Sequence, residues 1–156
     1  MGKAPLFSVF LVAISTSSAG AVDGSVLFNG SVLSTCLITI GTPGTLVANP
    51  GYTVLSSEEP GGIAGTATIL ATGLGFNVST AAPAAFTSAP AGGDDSVVWS
   101  SAYSASGVTS LLDIVGNVTS PLGLGLTNLN VDLTATKSAG HFPAGTYSAM
   151  VTVTCE

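Results

Sequence analysis

Between residues 25 and 40 the chain alternates: Val26, Phe28, Gly30, Val32, Cys36, Ile38 and Ile40 share one side of an extended strand, with Leu27 and Leu33 on the other. A period of two is what a strand with one buried face requires. The far end of the chain repeats it, where Tyr147, Ala149, Val151, Val153 and Cys155 form an apolar series interleaved with mostly polar residues, Met150 excepted. Between these ends, short β-rich runs recur near 51–55, 64–71, 75–79, 96–103, 110–115 and 126–134, and with 36–40 and 146–154 they make up the predicted strands. Turn signals separate them, among them Thr42-Pro43-Gly44, Asn49-Pro50-Gly51, Glu59-Pro60-Gly61 and His141-Phe142-Pro143. The stretch 81–93 carries Pro83 and Pro90 and reads as a loop or an edge. Helical periodicity is nearly absent. The pattern predicts an all-β chain, and about seven to nine short strands in one domain point to an immunoglobulin-like β-sandwich.

The first 21 residues stand apart from this pattern. Lys3, an apolar run from Leu6 to Ile14 broken by Ser8, and Ala19-Gly20-Ala21 have the order of an export signal with its small-residue cleavage site. Residues 1–21 are therefore expected to be a signal peptide, residues 22–33 an N-terminal extension, and residues 34–156 the folded domain. The run is too short to span a bilayer, which needs about 20 apolar residues, and no membrane insertion is expected elsewhere.

Cleavage after residue 21 sharpens the charge. Lys3 leaves, and one lysine, no arginine and eight acidic residues remain, a formal charge of 1 − 8 = −7. Nucleic acid and anionic membrane surfaces select for clustered Lys and Arg and are poor partners, so no nucleic acid is expected. Charged residues make up only 6% of the chain while hydrophobic ones make up 46%, so the chain is expected to fold with a surface of Ser, Thr, Asn, Gly and Ala. Such a surface suits subunits that pack together, and equally the many secreted β proteins rich in Ser and Thr.

Cys36 and Cys155, 119 positions apart, most simply form one disulfide in an exported protein. Both fall on the inward faces of their predicted strands. Catalysis and metal binding have little to build on. His141 is the single histidine and sits in a turn without an acidic neighbour in sequence; Glu58-Glu59 and Asp94-Asp95 are adjacent pairs that point apart on an extended chain. Asp94-Asp95 lacks the alternating oxygen ligands of a calcium loop. Trp99 and Tyr103 share a strand face and are expected in the core. No cofactor and no enzymatic activity is expected.

The segment Gly24-Ser25-Val26-Leu27-Phe28-Asn29-Gly30-Ser31-Val32, the cysteine behind it, and Gly145-Thr146-Tyr147 followed by alternating Ala, Val and Thr together resemble bacterial pilins of the chaperone-usher class. In that family an exported subunit lacks the last strand of an immunoglobulin-like fold, and the N-terminal extension of another copy fills the gap. The resemblance implies donor anchors at Val26, Phe28, Gly30 and Val32, and an acceptor edge along Tyr147, Ala149, Val151 and Val153. It further implies a homopolymer at the cell surface serving adhesion or biofilm formation, delivered through the periplasm by a chaperone and an outer-membrane usher. Better-known members pair the early cysteine with one a few strands later, whereas here its partner is the penultimate residue, which leaves the archaic, spore-coat-like branch open. From periodicity alone, residues 25–33 serve equally as the first strand of a complete sandwich. In that case the chain is a monomeric secreted binding or adhesive module.

Overall fold

The computed structural model describes Gly20 and residues 22–156. Apart from Gly20, the export signal expected over 1–21 lies outside the described residues. The chain divides into two units, Met1–Ser31 and Val32–Glu156. In the first, residues 22–31 carry no strand, and Val26 and Phe28 are 77% and 89% exposed.

The second unit contains the strands β1 (Cys36–Ile40), β2 (Val47–Ala48), β3 (Val54–Ser56), β4 (Gly65–Ala71), β5 (Asn77–Ala81), β6 (Val97–Gly107), β7 (Leu111–Val115), β8 (Ser120–Pro121), β9 (Gly125–Lys137) and β10 (Thr152–Cys155). All pairings are antiparallel. They form a seven-stranded sheet and a three-stranded sheet, the latter in the order β10-β5-β8. The fold is all-β, with no helix among the described residues, and is consistent with a β-sandwich.

The 13 residues of β9 form the spine of the large sheet. One side pairs with β6 from Thr127 to Lys137; the other pairs first with β4 and then with β3. Strict alternation lets β9 do this, because Thr127, Leu129, Leu133 and Ala135 are buried while Leu126, Asn128 and Asn130 on the opposite face are exposed. Against that inner face lies a core of Ile69, Val78, Tyr103 and Leu129, with Cys36, Ile38, Val153 and Cys155 packed on it. Tyr103 is fully buried, and its hydroxyl lies 3.1 Å from the Val78 carbonyl, 2.8 Å from that of Val118 and 2.8 Å from Ser120 Oγ, so it ties β6 to the small sheet. A second cluster gathers Leu55, Phe86, Ala135 and Phe142 with Trp99 and Tyr147 at its border. Phe86 meets Trp99 edge-on at 4.5 Å, which pins the Pro-rich 81–93 loop to the sheet.

The first strand spans Cys36–Ile40, as expected. Three departures from the sequence expectation have local causes. The strand expected from residue 51 starts at Val54: Asn49 Oδ1 accepts from the N–H groups of Thr53 and Val54, closing a turn in which Tyr52 takes φ 53°. β9 runs on to Lys137, whose buried ammonium donates to the carbonyls of Gly92 and Asp95. The last strand, expected over 146–154, forms only from Thr152 to Cys155, with one isolated bridge at Ser148 before it. The two-residue strands β2 and β8 are too short to leave a periodic signal.

Candidate functional site

The interruption of the last strand has its origin in sheet topology. β1 is an edge that pairs only with β4, and β10 is an edge that pairs only with β5. The two edges are joined at one end by the Cys36–Cys155 disulfide, which forms as expected with the Cα atoms 6.4 Å apart. Away from the disulfide they part, and a groove of about 800 Å³ opens between them. Ile40 and Thr45 stand on one wall, and Tyr147, Ala149, Val151 and Val153 on the other. Leu55, Ala67 and Leu133, each less than a tenth exposed, form the floor.

All four residues assigned to an acceptor edge thus line one groove. Their alternation is preserved: 147, 149, 151 and 153 are half-buried while Thr146, Ser148, Met150 and Thr152 between them are exposed. Ser148 exchanges backbone hydrogen bonds with Ser88 and accepts a further one from Thr87. Among the described residues, no other backbone group of 146–151 bonds to backbone. A segment with strand periodicity, extended beside an apolar floor, is therefore left with unpaired main-chain groups, which ordinarily find partners.

Gly44 shapes the wall nearest β4. A Cβ there would lie 2.8 Å from the Gly65 nitrogen and 2.9 Å from the Ile63 carbonyl, so only glycine lets the two backbones cross at this point. Ser57, also on the lining, donates to Asp132 Oδ1 at 2.6 Å and accepts from the Leu133 N–H at 3.1 Å, so its hydroxyl is satisfied away from the groove. Tyr147 is the one titratable side chain on the lining. Burial, and after it the Asp94 carboxylate, raises its phenol above the usual 10.0, and it stays a neutral donor, 2.6 Å from the Pro143 carbonyl. The groove is thus an apolar trough with main-chain polar groups on its rims.

The other residues singled out in the sequence lie outside the groove lining. Of the expected donor anchors, Val26, Phe28 and Val32 are 77%, 89% and 84% exposed, and a Cβ on Gly30 would meet nothing within 4 Å. His141 is exposed, with Nδ1 2.9 Å from the Gly51 carbonyl. Asp94 accepts from the Phe86 N–H at 2.8 Å, holding the loop that carries this aromatic. Among the described residues, no group of three or more His, Cys, Asp or Glu side chains is placed to hold a metal. Sequence reasoning missed the floor. Leu55, Ala67 and Leu133 carry the inward signal of their strands, but nothing local tells an inward residue under a covering strand from one under a gap. Comparison with protein-family models, with curated proteins and with solved structures found no match to this chain.

Proposed function

We propose that this chain is the structural subunit of a bacterial surface pilus, an immunoglobulin-like domain that polymerises when residues 22–33 of one copy enter the groove of another. One observation carries the reading: the groove lies between two backbone stretches, 40–45, bonded on its far side to 63–67, and 147–153, bonded on its far side to Ser88 and β5, each with its groove side open, in a chain whose own N-terminal segment has the alternation to fill it. An inserted strand gains main-chain hydrogen bonds along the rims and sinks alternate side chains into the trough. Val26, Phe28 and Val32 supply the apolar anchors, each contributing roughly 1.5–3 kcal/mol if fully enclosed. Gly30 occupies the narrow point. Export through the periplasm with a chaperone strand held in the same groove, followed by assembly at an outer-membrane usher, keeps the trough covered until exchange. The polymer would then serve adhesion or biofilm formation at the cell surface.

The test is electrophoretic. Purified unheated protein is expected to run as SDS-resistant multimers, and deletion of residues 22–33 to abolish them. A wild-type protein that runs only as a monomer overturns the reading in favour of a secreted binding module whose first strand folds back on its own domain.

A further inference from the structure

The outer face of the large sheet is polar through its middle, carries Val98 and Val115 exposed on β6 and β7, and has a continuous apolar row at one end. Two successive outward rows across the strands read Thr66, Asn130, Ser104 and then Thr39, Thr68, Asn128, Ser106. A side chain facing water on both sides of such a row is expected to be polar. The last row reads Leu37, Leu70, Leu126, followed by Val108, whose N–H donates to the Leu126 carbonyl at 3.1 Å. These side chains are exposed by 60%, 39%, 49% and 52%. Leu74 and Leu124, in the loops at the same end, are 80% and 57% exposed. Leu37, Leu70, Leu126 and Val108 are cross-strand neighbours and form one continuous apolar row, and contiguous exposed apolar surface of this kind marks interaction sites.

The chain also enters the domain at this end. The Thr72 hydroxyl donates to the Leu33 carbonyl at 2.8 Å, the Thr35 N–H donates to Thr72 Oγ1 at 2.8 Å, and the Thr72 N–H donates to the Thr35 carbonyl at 2.9 Å. Thr72 lies between Leu70 and Leu74 of the patch. The body of the domain therefore holds its own chain from Leu33 onward.

We propose that this leucine-rich end packs against the body of the copy whose groove takes the extension, forming a second contact between successive subunits. The inference rests on the donor-strand reading. If Val32 sits in a neighbour's groove, at most about 10 Å of extended chain separates it from Thr35, so the two bodies are held edge to edge at this end. The occupant is a second copy of the chain because the tether leaves room for nothing else. A stable free interface needs about 800 Å² from each partner, so the patch is too small to dimerise unaided. Tethering raises the effective concentration to the millimolar range and lets a small patch close only after the strand has been exchanged. Strand exchange then sets which subunits are joined, and the leucine end sets the angle between them.

The experiment uses assembled polymer of full-length protein carrying Leu124→Cys or, in the middle of the same outer face, Asn130→Cys. A polar maleimide is expected to label position 124 at least tenfold more slowly than position 130. Equal rates, in polymer that still forms the SDS-resistant ladder, overturn the inference and leave donor-strand assembly standing. Loss of the ladder from the wild type sinks both. A second variant, Leu74→Ser with Leu124→Ser, is expected to keep the ladder while the persistence length in electron micrographs falls at least twofold. Unchanged stiffness likewise overturns the inference.

Discussion

Tyr103 shows how much one side chain contributes to the joining of the two sheets. Its ring is fully buried among Ile69, Val78 and Leu129, and its hydroxyl meets the Val78 carbonyl and Ser120 of the opposite sheet and the Val118 carbonyl of the turn before β8. Tyr103→Phe keeps the ring and strands those acceptors without water. A loss of about 1–3 kcal/mol in urea unfolding is expected, with the β-sheet circular dichroism unchanged. The inward position of Tyr103 was legible from the period of β6. Its partners were not, because Val118 and Ser120 belong to a short turn and a two-residue strand with no periodic signal. Lys137 makes the same point about charge. It is the only Lys or Arg of the described residues, it is 7% exposed, and it caps two loop carbonyls and lies 5.2 Å above the Phe142 ring. The domain surface consequently offers acidic groups without an exposed lysine or arginine to balance them.

At the scale of the element, the informative comparison is between β9 and the last strand. Both alternate with a period of two, and both bury their odd positions over the core. β9 has partners on both sides; the 146–151 segment has an isolated bridge, through Ser148, on one side. The proposed occupant of the open side makes a sharp demand at Gly30. Replacing it with leucine would put a branched side chain, one that has open space in the free chain, against the narrow part of another copy's groove. Gly30→Leu is expected to give a folded, disulfide-bonded monomer and at least a tenfold drop in SDS-resistant multimers. Normal multimers from this variant would show that Gly30 is not the register point. The alternation of residues 25–33 was plain in the sequence, but a period of two says only that one face wants burial. It does not say in which molecule.

For the whole molecule, the Cys36–Cys155 bond closes a loop of sequence separation 119, joining the first strand to the last. In the chain-entropy model a loop of about 100 residues contributes about 4.7 kcal/mol through the unfolded state. The bond also sits at the closed end of the groove, where it fixes the spacing of the β1 and β10 edges. Cys36→Ser with Cys155→Ser is therefore expected to lower the unfolding free energy by about 4–5 kcal/mol. Calorimetry measures that loss. The same variant is expected to lose multimers more steeply than a destabilised core variant of equal melting temperature.

The sequence by itself determined the all-β class, the inward and outward faces of the strands, the pairing of the two cysteines and the alternating series at both ends of the chain. Each is a local or counting property: side-chain period, turn chemistry, or two thiols with no other partner. Strand pairing in three dimensions was needed to show that β1 and β10 are both edges, that the residues between Tyr147 and Val151 border an apolar trough, and that the leucine row of the outer face lies where the chain enters the domain. Strand order depends on which distant segments find each other. A backbone N–H carries no mark of whether its partner lies in its own sheet, and a period of two is the same under a covering strand as beside an open groove.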